Sequence, residues 1–125
     1  MPGNSGKNSY QRGRWAEQTA LEYLSARKLK LLSKNFRSAF GEIDLIMQDE
    51  NIILFVEVRY RSSNHFHTAL ESINRKKCDR IIATSHQYLT ENRGASQLDC
   101  RFDVVALSGP QETPTIEWIK NAFQA

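Results

Sequence analysis

Long apolar runs are missing from this chain: the longest, Ile52–Val56, has five residues, far short of the ~20 that a membrane-spanning helix needs. The opening stretch MPGNSGKNSYQRGRW is polar and basic and lacks the apolar centre of a secretory signal. Cysteine is scarce too. Cys78 and Cys100 stand 22 positions apart, with no CxxC and no Cys/His cluster, which argues against a zinc site. Two unpaired thiols point to a reducing compartment, so a cytoplasmic protein without a membrane partner is expected. What remains is 125 residues, 40% hydrophobic and 25% charged. That is enough for one domain burying roughly two-thirds of its unfolded surface, and a two-domain enzyme is not expected.

The net charge of +3 is modest, but its arrangement is not uniform. Residues 1–41 carry eight Lys/Arg and two acids, and residues 42–57 carry five acids and no base. Residues 58–80 return to six bases against two acids, and residues 81–125 hold three against five. An acidic block therefore lies between two basic ones. Basic blocks suit a polyanion such as nucleic acid; the alternative is that all of these charges are solvated faces.

Residues 1–8, with Pro2, Gly3 and Gly6, read as a mobile leader, and residues 9–125 as one domain. From Ser9 to Lys28 there is no proline, and Ala16, Ala20, Leu21, Tyr23 and Leu24 recur at helical spacing. Strands are expected at Leu29–Phe36, Glu42–Gln48 and Ile52–Tyr60, the last two joined by the turn Asp49-Glu50-Asn51. Thr68-Ala69-Leu70-Glu71 fits a capping box for a second helix reaching about Asn92, with Gly94 as its stop. Its buried stripe would hold Cys78, Ile81, Ile82, Ser85 and Leu89. Cys100–Leu107 reads as a further strand, and Thr115–Ile119 as a short strand or a helical end. The order α-β-β-β-α-β predicts an α/β domain with a mixed central sheet flanked by helices.

Residues two apart on a strand share a face. Glu42 and Asp44 share one, and Ile53, Phe55, Glu57 and Arg59 share another that begins apolar and ends charged. An even-numbered hairpin loop sets Asp44 opposite Phe55 or Glu57; a three-residue loop without a bulge puts Asp44 and Glu57 on opposite faces. Two carboxylates ~4 Å apart near a protein surface repel by ~4 kcal/mol. They persist if one is protonated, a cation pairs with them, or a divalent metal sits between them. Oxygen ligands suit Mg²⁺ or Mn²⁺, which polarise phosphoryl oxygens and acidify bound water. The competing reading is structural: Arg59 and Arg61 neutralise Glu57 and Asp44 as salt bridges at a sheet end.

Three blocks carry a resemblance: Gly41-Glu42-Ile43-Asp44-Leu45-Ile46, Phe55-Val56-Glu57-Val58-Arg59-Tyr60-Arg61 and Arg101-Phe102-Asp103-Val104-Val105. Together they resemble the YraN-like family of bacterial proteins. That family is similar to archaeal Holliday-junction resolvases and to the restriction-endonuclease-like group with its Asp…(Asp/Glu)-x-Lys motif. The resemblance runs from about Gly13 to Phe123 and implies a restriction-endonuclease-like fold, Mg²⁺ or Mn²⁺ as cofactor, and phosphodiester hydrolysis on structured or branched DNA. It implies Asp44, Glu57 and Arg59 as catalytic residues and Glu17, Asp44 and Glu57 as metal ligands. Lys77 would contact phosphate, joined by Arg61, Lys76 and Arg80 in binding nucleic acid, and a homodimer would serve paired cuts. The pattern's lysine is replaced by Arg59, which holds its proton at any working pH and is unsuited to general-base chemistry. A non-catalytic nucleic-acid-binding module of the same fold is the alternative. His65, His67 and His86 are not read as metal ligands, and Trp15 and Trp118 are read as packing residues.

Overall fold

The computed structural model describes residues 9–62 and 73–125. Helix α1 (Ser9–Ser25) leads into a meander of strands β1 (Lys30–Arg37), β2 (Glu42–Asp49) and β3 (Ile52–Arg61). Helix α2 (Arg75–Glu91), a 3₁₀ turn at Ala95–Gln97, and strands β4 (Asp99–Ser108) and β5 (Thr115–Phe123) complete the order. The five strands form one sheet, β1-β2-β3-β4-β5. All neighbours pair antiparallel except β3 and β4, which are parallel and have α2 between them in the chain. The expected α/β architecture with a mixed sheet is thus present, and the segment after Pro114 is a full strand.

The β3 alternation explains both cores. Leu54 and Val56 join Ala20 and Leu24 of α1, with Leu45, Met47, Val105 and Leu107, in one buried cluster. Ile53 and Phe55 join Ile81 and Tyr88 of α2, with Ile43, Ile46 and Phe102, in the other. The two helices therefore cover opposite faces of the sheet, as a strand apolar on both faces demands.

Helix α1 ends three residues before the expected Lys28, because Lys28 adopts φ 72°. Leu29 N–H donates to the Leu24 carbonyl and Lys28 N–H to that of Ser25, a Schellman closure made without glycine. Leu24 and Leu29, both buried in the α1 cluster, lock it hydrophobically. Helix α2 begins at Arg75, where the Asn74 side chain accepts from Lys77 N–H; the capping box at Thr68–Glu71 lies outside the described residues, as do His65, His67 and residues 1–8. Its stop is Asn92 rather than Gly94, with the Asn92 side chain donating to the Tyr88 carbonyl. Thr84 and Tyr88 are buried on α2 beside the expected Cys78, Ile81 and Ser85. Both cysteines are free, Cys78 buried and Cys100 exposed. Among the described residues no helix is long and apolar enough to cross a membrane.

Candidate metal centre

The hairpin between β2 and β3 turns on two residues, Glu50 and Asn51, with Asp49 opposite Ile52. The three-residue turn of the sequence reading is corrected: Glu50 takes φ 54°, and the tighter turn sets the even register. Ladder pairing runs from that turn to Leu45 opposite Val56 and stops there, although both strands continue. Alternation along β2 also breaks at this point. Ile43 and Ile46 belong to the α2-side cluster, Leu45 and Met47 to the α1-side cluster. Freed from the ladder, the Asp44 carboxylate accepts from Val58 N–H at 2.8 Å. It replaces a backbone carbonyl, so the strands open at the position where the acids gather.

Three carboxylates converge there from two elements. Oxygens of Glu17 on α1 and of Glu42 and Asp44 on β2 lie within 4.8 Å of one another. One Asn35 side-chain NH₂ donates to both Glu17 and Glu42 at 2.9 Å. Asn35 reaches both because it adopts φ 52° within β1, a conformation asparagine tolerates. Glu42 is also 3.5 Å from Arg37. Glu57 arrives from β3 on the α2 side, only 4% exposed. Its Oε2 lies 3.2 Å from Arg59 Nε and 3.7 Å from Lys77 Nζ. The Arg59 contact is a charge attraction, since the Nε–H is not aligned for a hydrogen bond.

The electrostatics follow from burial. Loss of water and the neighbouring Glu57 charge push Asp44 from 3.8 up to about 8, against the opposing pull of Val58 N–H. Glu57 is raised by burial, with Lys77 and Arg59 holding it back. Glu17 is raised by burial and by Asp44 and Glu42, while Asn35 lowers it. Asp44, Glu57 and Glu17 thus retain a proton more readily than in water, and a bound dication would displace those protons. All the converging donors are carboxylate oxygens, which fits a hard cation such as Mg²⁺ or Mn²⁺.

Of the residues singled out in the sequence, Glu17, Asp44, Glu57, Arg59, Arg61 and Lys77 line one pocket of about 440 Å³. Lys76 and Arg80 are exposed on α2 and do not line it. Glu42, which was not among the expected ligands, joins Glu17 and Asp44 in the cluster, while the expected Glu57 stands beside it. The signal for Glu42 was present, since it shares a strand face with Asp44. Arg61 does not neutralise Asp44 in the contacts observed; its guanidinium donates to the Tyr60 carbonyl at 3.2 Å. The tryptophans do pack: Trp15 meets Tyr60 edge-on at 5.0 Å, and Trp118 belongs to the α1-side cluster. Exposed His86 takes no part in the acidic cluster.

Fold and site define an α/β protein whose central hairpin opens into a pocket of carboxylates faced by cations. The chain belongs to Uncharacterised protein family UPF0102, whose model matches residues 16–107. That span includes Glu17, Glu42, Asp44, Glu57, Arg59 and Lys77. The chain is 44% identical over 121 residues to a UPF0102 protein of Methylococcus capsulatus, covering 97% of each chain. It is 49% identical over 112 residues to one of Nitrosomonas europaea, covering 90% of this chain and 92% of the relative. A UPF0102 protein of Nitrosococcus oceani is 42% identical over 113 residues, covering 90% of this chain and 91% of its own.

Proposed function

We propose that this protein is a divalent-metal-dependent nuclease of the restriction-endonuclease-like group, acting on structured or branched DNA. The observation that carries the reading is the union of Asp44, Glu57 and Lys77 in one pocket with Glu17 and Glu42 alongside. Glu17, Glu42 and Asp44 would hold Mg²⁺ or Mn²⁺, which supplies Lewis acidity toward a phosphoryl oxygen and a water of lowered pKa. Glu57, next to that cluster, would take a proton from the attacking water. Lys77 enters from α2 and brings the pocket a lysine, where the strand offers Arg59. Its ammonium offsets charge on the phosphorane, and Arg59 holds Glu57 in position. The cations Arg12, Arg61 and Lys77 around the same pocket give the DNA backbone its counter-charge.

The test is cleavage of junction, flap and linear DNA in Mn²⁺ by wild type, Asp44→Ala and Glu57→Ala. The wild type should cut and both variants should lose at least about a hundredfold in rate. Cutting that survives both substitutions contradicts the assignment. A second reading, a DNA-binding module without turnover, is favoured by one observation: two cations already flank Glu57. It predicts salt-dependent binding with no cleavage by any form.

A further inference from the structure

A second pocket, of about 600 Å³, lies beside the first and shares Gly13 and Glu17 with it. Helix geometry explains the sharing. At 100° per residue, Gly13 and Glu17 form a line down α1. Tyr10 and Arg14 fall to one side of it and Arg12 and Ala16 to the other. The first pair lines the second pocket, the latter pair the first. Gly13 is therefore the crest between two basins, and a crest without a side chain is low.

That glycine has no internal reason to be there. A Cβ built on it meets nothing within 4 Å, and it does not adopt a positive φ. Glycine inside a helix is less favourable than alanine, so neither packing nor backbone geometry requires it. The second pocket also has its own chemistry. Lys34 and Arg14 supply positive charge, Arg37 is paired with Glu42 on the side nearer the acidic centre, and Tyr10 supplies an aromatic ring that is 69% exposed. Arg14 braces that ring, with its guanidinium 5.7 Å from the ring centroid and Nη1 3.4 Å from the hydroxyl. An exposed, braced ring among cations suits an unpaired nucleobase beside its phosphates, whereas a paired base keeps its faces within the stack.

We propose that the strand entering the acidic centre continues across Gly13 into the second pocket as unpaired DNA, with a base stacked on Tyr10. This deepens the nuclease reading and rests on it for the phosphate at the centre; it names the substrate class as DNA with a single-stranded segment. The experiment is fluorescence anisotropy in EDTA with oligo-dT and a blunt duplex, using the full chain, Tyr10→Ala, Gly13→Gln and Gly13→Ala. Wild type should bind oligo-dT more tightly than the duplex. Tyr10→Ala should weaken oligo-dT binding about tenfold while changing duplex binding by less than about twofold. Gly13→Gln should obstruct the crossing and weaken oligo-dT comparably, and Gly13→Ala should not. Equal losses on both DNAs, a preference for duplex, or undiminished oligo-dT binding by Tyr10→Ala and Gly13→Gln would overturn the proposal. Binding in EDTA needs no turnover. Failure of cleavage with strand preference intact therefore counts against the nuclease reading and leaves the groove standing.

Discussion

Two acidic sites in this protein, one buried and one half-buried, are built on opposite principles. Asp103, fully buried on β4, has its charge met on every side. Arg101 Nε reaches both oxygens at 2.9 and 3.2 Å, Trp118 Nε1 donates at 2.8 Å and Asn121 N–H at 2.9 Å. The acids at the open hairpin have fewer donors and face one another. Asp44 accepts from one backbone N–H, and Glu17 and Glu42 divide a single amide group. A carboxylate whose charge the chain itself satisfies is part of the architecture. Carboxylates left repelling each other cost stability that an incoming cation can return.

Substitutions should separate the two sites, beginning with the closed one. Asp103→Ala strands Arg101, the Trp118 indole N–H and a backbone N–H; it should lower stability by about 3–5 kcal/mol in urea unfolding. Next is the pH response of the metal-free protein. Asp44 binds its proton more tightly when folded, rising from 3.8 to about 8. The folded chain thus holds more protons than the unfolded chain across that window. Stability is fully present below the lower value and declines as pH rises through the upper one. Melting in EDTA from acid to alkaline pH should show that decline.

Asp44→Asn imitates the protonated acid and keeps an oxygen for Val58 N–H. It should flatten the pH slope and raise alkaline stability by about 1 kcal/mol or more. The smallest effect belongs outside the pocket. Lys76→Ala on exposed α2 should leave stability within about 0.5 kcal/mol and, on the proposed function, lower the salt dependence of DNA binding by one charge at most.

Much of this was legible in the sequence because strand alternation is a strong constraint. The Ile52–Tyr60 pattern alone separates two core faces, and the apolar half of β3 packs on both helices as that pattern requires. The union of Asp44 with Glu57 depended on turn length, which periodicity leaves open; Glu50 at φ 54° decided it. Spacing put Glu42 on one strand face with Asp44, but its meeting with Glu17 runs through Asn35, a strand residue in a left-handed conformation. No residue spacing signals that. The end of α2 near Asn92 was legible, but not the residue that stops it: Asn92 closes the helix through its own side chain and leaves Gly94 to the 3₁₀ turn.

Thermal melting with increasing Mn²⁺, run in parallel on wild type and Asp44→Asn at neutral pH, tests the proposed metal site most directly. A wild-type midpoint that climbs with Mn²⁺ concentration, and a variant midpoint that stays where EDTA leaves it, is the predicted result. A wild type indifferent to saturating Mn²⁺, or a variant that climbs equally, would contradict it.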